Sequence, residues 1–498
     1  MNLAGLLDHA ATCFPSRPAV TWNGETISYD ELYRQVVALD TWLRSVGAGR
    51  DTRVAVFMEN RREYLVAMFA IFRCGATLVP CNARLTADEL AFLIGDAGAV
   101  ALLTDDAHAP TARAAAGDAT VCVAGPQLDA ILDDRGGVAQ APAEVDDDDT
   151  AWLFYTSGTT GRPKGAMLSH AVLQFVTVAW LADLTPLDET DVTLHAAPLS
   201  HGAGFHALAA TARAAHQVIP STQSFDAAAT LALIDEMGVT NTWMVPTQIV
   251  MLTDAAPVGV ALPTLQYVVY GGAPMTPSAT GRALERFGPI FVQLYGQGES
   301  PMTFTVLRRQ DHRPQLFGSA GRARPGVQVA ILGENGQLLP AGSVGEVAVR
   351  GASLMSGYWN QPDATGEALR DGWLHTGDLG RLTDDGVLYL LDRTKDMIIS
   401  GGSNVYAVEV ERVLSAHPGV ADVAVVGLPD ELWGEVVAAV VVPAAGSGLD
   451  EKTLEAHCRA TLAGYKVPRR WLCVDSLPRN AYGKVLKREL RAELEPRS

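Results

Sequence analysis

The stretch FYTSGTTGRPKG, residues 154–165, follows an apolar run that reads as a buried strand. Gly158, Gly161 and Gly165 leave backbone N–H groups unencumbered, and successive N–H groups form a nest for an anion. Thr156, Ser157, Thr159 and Thr160 add hydroxyl donors, while Arg162 and Lys164 add positive charge. The combination suits a polyphosphate. It is not GxxxxGK[ST], because Lys164 follows Pro163 and precedes Gly165, so a P-loop nucleotide fold is disfavoured. A flexible linker is the plain alternative, yet a linker needs no such mixture directly after a strand.

Such a loop has to be held by rigid elements. RVAVFMEN, ATLVPCN and AVALLTDD are short apolar runs that alternate with helical stretches such as SYDELYRQVVALDTWLRSVG, which is the texture of an α/β fold. That helix carries its own start signal in Ser28 or Asp30 and its stop in Gly47. The four consecutive Asp of VDDDDT read as a solvated loop without chemistry, and VAWLADL reads as core. From about residue 320 short strand-like runs take over, with Asn335-Gly336 and Asp385-Gly386 as hairpin turns. After about residue 392 helix and strand alternate again for a length that suits a small separate domain.

With 498 residues, 48% of them hydrophobic, the chain can bury a large core and divide into several domains. A formal net charge of -18 argues against nucleic acid or an acidic membrane surface as partner, so any phosphate must be bound locally. Cys13, Cys74, Cys81, Cys122, Cys458 and Cys473 are scattered without a CxxC pair, which speaks against a zinc site or disulfide framework and fits a reducing cytoplasm. Neither a signal peptide nor a membrane-spanning run is visible.

YTSGTTGRPKG resembles the signature loop of the adenylate-forming superfamily, which includes acyl- and aryl-CoA synthetases. PLSHGAG at 198, YGGAPM at 270, LYGQGES at 294, HTGDLG at 375, DRTKDMIISGGSNVYAVEVE at 392 and PRNAYGKVLK at 478 follow in the family's order. The resemblance covers essentially the whole chain and implies a large α/β N-terminal domain, 1–392, with parallel sheets and a β-rich subdomain at about 320–392. A small mobile α+β domain, 393–498, would carry the catalytic lysine.

The resemblance also implies roles. The loop Thr156, Ser157, Gly158, Thr159, Thr160, Gly161 and Lys164 would hold the ATP phosphates, with Glu299 and Thr156 at Mg²⁺. Tyr295 and Gly296, with the backbone of Gly271, Gly272, Ala273 and Pro274, would flank the adenine, and Asp378 and Arg393 the ribose. Lys484 would reach the substrate carboxylate and α-phosphate, Lys395 would be the hinge, and Gly401 and Gly402 would line a thiol channel. His201 would gate an acyl pocket walled by Trp243, Phe205, Leu294, Gly296 and Met302, and a bulky Trp243 would favour a compact or flat acid. The family commonly has Thr where this chain has Gly298; Ser300 or a backbone N–H is the expected substitute.

The expected activity is ATP-dependent formation of an acyl-AMP and then of an acyl-CoA from an aromatic or short-to-medium acid, using ATP, Mg²⁺ and CoA in the cytoplasm. The partners expected are the carboxylic acid, ATP and CoA, with a homodimer as the protein assembly and neither nucleic acid nor a membrane span. Transfer to a carrier protein's thiol, oxidation of the adenylate, and a silent nucleotide-binding protein are the alternatives. Only Gly298 favours the last, against Lys164, Glu299, Asp378 and Lys484.

Overall fold

The computed structural model describes residues 1–134, 140–156, 163–222, 224–393, 396–400, 403–430, 433–479 and 485–494. The helix expected after Ser28 spans Tyr29–Ser45. Ser28 is its cap, since its Oγ accepts the Glu31 N–H at 3.2 Å, while Asp30 lies inside the first turn, where its charge favours the helix dipole. Gly47 follows the end with φ 87°.

The apolar runs Arg53–Phe57, Thr77–Cys81 and Ala99–Thr104 become parallel neighbours, extended by Thr120–Val123 on one side and Thr150–Thr156 on the other. They are continuously apolar because both faces are covered. Val54, Val56 and Leu78 point into one apolar cluster, and Ala55, Phe57 and Val79 into another. Lys164–Ser169 closes this sheet antiparallel to Thr150–Thr156, with Thr156 directly opposite Lys164.

A second sheet is parallel across Pro18–Trp22, His216–Val218, Val192–Leu194, Asn241–Met244, Tyr267–Tyr270 and Phe291–Gln297. It turns antiparallel at Ser300–Leu307 and continues through Gly321–Ala323, Val387–Arg393, Trp373–Leu382, Val344–Gly351 and Val327–Leu332. The strand-rich stretch from about residue 320 is therefore a wing of this sheet. Gly336 and Gly386 sit in its tight turns at φ 76° and 78°.

Helices Arg62–Cys74, His170–Asp183 and Gly202–Ala212 share a single apolar cluster with residues of both sheets. That shared core brings the two sheets' strand ends to one place. A third, smaller sheet contains Ile398–Ser400, Ser403–Val405, Val420–Asp430, Gly434–Pro443 and Arg470–Cys473. Helices Ala407–Ser415 and Glu451–Arg459 cover one face, through Val410, Leu414 and Leu454, while Leu490 of Lys487–Leu494 covers the other.

Of the four consecutive Asp, Asp146 and Asp149 both pair with Arg50, and Asp147 accepts from the N-terminal amine, so this loop is tied down electrostatically. Trp180 of the VAWLADL segment is fully buried. Among the described residues no helix is long and apolar enough to cross a membrane.

Candidate active site

Parallel strands collect their following loops at their carboxyl ends, where ligands bind in open α/β sheets. Thr156 ends a strand of the first sheet; Gly271–Pro274 and Gly298–Glu299 follow strands of the second. The structure brings these ends together. Glu299, only 8% exposed, accepts the Thr156 hydroxyl at 3.1 Å and the Tyr358 hydroxyl at 2.7 Å, both on Oε1. Lys164 Nζ stands 5.3 Å from the centre of the Tyr358 ring. Thr156, Lys164, Glu299 and Tyr358 thus surround the mouth of the expected phosphate loop. Burial and the adjacent Glu299 carboxylate push the Tyr358 phenol well above its ordinary range, so it stays a donor.

Tyr358 is placed by a stitch between the sheets. Met167 N–H donates to Gly357 O, Ser356 N–H to Met167 O and Trp359 N–H to Gly165 O, while Met355 N–H donates to Glu299 O. The segment 355–359 therefore pairs with the strand after the loop and also grips the Glu299 backbone. Nothing in the local sequence of Tyr358 signals this; its partner is 59 residues away.

Asp378 lies in a second group. Its Oδ2 accepts the Tyr295 hydroxyl at 2.6 Å and Gln297 Nε2 at 2.7 Å, and Gln297 also donates to Thr376 O at 3.0 Å. The strand bulge at Asp378 is held by Glu346, whose Oε1 accepts the Gly377 N–H at 3.0 Å. Arg393 falls opposite Asp378 in the strand pairing. Gln297 and Glu346 were not among the expected residues. Gln297 was legible in principle, because side chains alternate along a strand and it shares a face with Tyr295.

The acyl-pocket candidates divide. A Cβ built on Gly202 would lie 2.5 Å from Trp243 Nε1 and 2.6 Å from Met302 Cε; one on Gly271 would meet Leu294 O at 2.6 Å and the Trp243 ring at 3.1 Å; one on Gly296 would meet Met302 N at 2.6 Å. Glycine at 202 and 271 lets the Trp243 side chain, joined at 202 by Met302 Cε, close on the backbone, and glycine at 296 lets the Met302 backbone approach. Leu294, Trp243, Gly296 and Met302 form one group. Phe205 belongs to another, stacked on Trp152 at 4.8 Å and tilted against Phe154 at 5.8 Å. His201, at the start of helix Gly202–Ala212, meets Phe154 edge-on at 5.3 Å and so stands on the Phe205 side. Burial lowers its pKa to about 4, so the ring is neutral at pH 7.

Gly298 has a steric reason. A Cβ there would lie 2.4 Å from Thr156 Cγ2 and 2.6 Å from Phe154 Cδ1, so this packing has no room for a threonine. Ser300 does not replace the hydroxyl: it is fully buried and bonded to Thr303 and Ser353 at 2.8 and 2.7 Å. That expectation is corrected, because a buried hydroxyl spent on interior partners cannot also face a ligand.

Gly272, Ala273 and Pro274 are exposed beyond strand Tyr267–Tyr270, with Gly272 at φ 78°. Ser157, Gly158, Thr159, Thr160, Gly161, Arg162, Lys395, Gly401, Gly402 and Lys484 lie outside the described residues. Among the described residues no three His, Cys, Asp or Glu side chains gather to hold a metal. A single carboxylate with a threonine hydroxyl, as at Glu299 and Thr156, fits a hard cation whose other ligands are phosphate and water.

The AMP-binding enzyme family model matches residues 7–359 and the AMP-binding enzyme C-terminal domain residues 409–484. A feruloyl-CoA synthase from Amycolatopsis is 40% identical over 96% of both chains. A fatty acid–[acyl-carrier-protein] ligase from Streptomyces coeruleorubidus is 36% identical over 96% of this chain and 93% of its own. The crystal structure of ATP-bound MatB from Rhodopseudomonas palustris superposes with a TM-score of 0.90 at 32% identity, covering 100% of this chain and 99% of that one. The order of motifs, the converging strand ends and these matches have one explanation: the chain belongs to the AMP-binding enzymes of the adenylate-forming superfamily.

Proposed function

We propose that the chain joins a carboxylic acid to CoA in two steps. The carboxylate oxygen attacks the α-phosphorus of ATP and pyrophosphate leaves; the CoA thiolate then attacks the acyl carbon and AMP leaves, giving the thioester. The observation that carries this reading is the group Thr156, Lys164, Glu299 and Tyr358, assembled from both sheets, with Thr156 and Lys164 flanking in sequence the stretch suited to a polyphosphate. Such chemistry depends on charge neutralisation and in-line positioning more than on covalent help from side chains.

In this reading Glu299 and Thr156 approach Mg²⁺, Ser157 to Gly161 with Lys164 hold the phosphates, and Tyr295 and Gly271–Pro274 bracket the adenine. Asp378 and Arg393 take the ribose, and Lys484 offsets the charge as two anions meet. Residues 393–498 move about Lys395 between the steps, bringing Gly401 and Gly402 to the thiol path. His201 is the neutral gate. Leu294, Trp243, Gly296 and Met302 wall a slot for a flat aromatic acid, a reading supported by the likeness to a protein named feruloyl-CoA synthase.

Carrier-protein loading is the second reading, favoured by the likeness to a protein named as an acyl-carrier-protein ligase. Pyrophosphate release is measured with ATP, Mg²⁺ and a panel of benzoates, cinnamates and fatty acids, each with and without CoA. Release with one acid class, turned into sustained AMP production by CoA, is the expected result. Release that CoA leaves unchanged overturns free CoA as the acceptor.

A further inference from the structure

Met302 is a side-chain-bearing residue held at φ 60°, in the left-handed region that such residues seldom occupy. It is 6% exposed, and its Cε lies against Gly202 beside the Trp243 indole. The peptide that follows it is gripped by Arg324, whose Nη1 donates to Met302 O. Arg324 is 2% exposed and enters from strand-to-strand connection Arg324–Gly326, far from the motifs.

Arg324 has further partners. Its Nη2 donates to Asp183 Oδ1 at 2.5 Å and to Ala179 O at 2.6 Å, and its Nε donates to Asp183 Oδ1 at 3.1 Å. Asp183 is the last residue of helix His170–Asp183, and Ala179 O lies one turn before it. Trp180, next to Ala179, meets the Trp243 ring edge-on at 6.4 Å. One buried guanidinium therefore ties the strained Met302 backbone to the helix end that backs Trp243. An arginine costs much to bury unless paired, and here every guanidinium nitrogen has an acceptor on one of two slot-wall elements.

We propose that Arg324, neutralised by Asp183, is a positioning residue for acid selection: it holds Met302 in its left-handed conformation and so fixes the wall that Met302 and Trp243 present to the acyl group. The inference rests on the adenylation reading and names what shapes its acid slot. Without the clamp the Met302 peptide relaxes to negative φ and its side chain leaves Gly202.

The test uses the charge-balanced pair Arg324→Met with Asp183→Asn, since Arg324→Met alone would strand a buried carboxylate. In pyrophosphate release with cinnamate and octanoate, the pair is expected to raise the KM for the better acid by about tenfold or more and to narrow the preference between the two acids. The KM for ATP stays within about twofold, a split that general loosening would not give. In a Met302→Gly background, where glycine adopts positive φ unaided, adding the pair changes acid KM by less than about twofold.

Parallel rises in acid and ATP KM, or an equal effect of the pair in both backgrounds, overturn the clamp. If the wild-type chain releases pyrophosphate with no acid, the adenylation reading falls instead. The clamp is then read from thermal unfolding: a smaller drop in midpoint for the pair in the Gly background supports it, and an equal drop overturns it.

Discussion

Gly298 and Tyr358 shape the proposed phosphate site in opposite ways, one by having no side chain and the other by one hydroxyl. Restoring the threonine common in the family, Gly298→Thr, puts a Cβ into Thr156 and Phe154. Overpacking of this kind costs about 1–3 kcal/mol, so kcat/KM for ATP in pyrophosphate release is expected to fall roughly 10- to 100-fold. An unchanged or improved value would mean that the strand end yields freely. Tyr358→Phe keeps the ring beside Lys164 and deletes only the donor to Glu299. A hydrogen bond to a charged group contributes about 1.5–3 kcal/mol, so about a tenfold or greater loss of kcat/KM for ATP is expected, with a higher Mg²⁺ concentration for half-maximal rate. A Tyr358→Phe enzyme with wild-type Mg²⁺ dependence would overturn a part for Tyr358 in the proposed cation site. The glycines and hydroxyls of the loop were legible because the polyphosphate chemistry they suit is local in sequence. Tyr358 and Arg324 were not, since their partners stand 59 and 141 residues away and only the folded sheets bring them within reach.

Strands and turns decide how firmly those side chains are aimed. The alternation of apolar runs with helices gave the parallel sheets correctly, because a strand covered on both faces has to be apolar throughout. That the run from about residue 320 would join the second sheet was not legible. Joining depends on the pairing of Ser300–Leu307 with Gly321–Ala323, a long-range register that hairpin signals do not encode. This wing carries a bulge at 376–378 within strand Trp373–Leu382, and Glu346 from the adjacent strand Val344–Gly351 holds it through Gly377 N–H, at φ 68°. Asp378 then meets Tyr295 and Gln297 from the central strand Phe291–Gln297. Glu346→Ala is expected to loosen the bulge without touching Trp243 or Met302: KM for ATP rises roughly 3- to 10-fold, the equivalent of about one hydrogen bond, while KM for the acid is unchanged. Amide exchange at Gly377 should quicken in the same variant. Slow exchange there, with an altered acid KM, would place the role of Glu346 elsewhere.

Across the large sheet domain, interior histidines tie stability to pH. His170 accepts the Leu3 N–H at 3.3 Å on Nδ1 and His195 pairs with Gln217 at 2.9 Å, while His206 stacks on Trp180 at 4.5 Å; all three are buried. Burial lowers the first two from 6.5 to about 4, and His206 well below its ordinary value. As the pH falls through 6.5 the unfolded chain takes up protons that folded His170 and His195 refuse until about 4 and that folded His206 also resists. Stability is therefore full above 6.5 and declines between 6.5 and 4, by about 1.4 kcal/mol per pH unit for each such histidine. The net charge of -18 works the other way, since protonating carboxylates relieves repulsion. Carboxylates titrate mostly near 4, below much of this window, so between about 6.5 and 5 the histidine contribution dominates. Urea midpoints are expected to be level from pH 8 to 6.5 and to fall steadily toward pH 5. His206→Phe keeps an aromatic ring against Trp180 while deleting one proton acceptor, and should make that fall shallower. A midpoint that rises on acidification, or a His206→Phe slope equal to the wild-type slope, would show that these rings reach water before the domain unfolds.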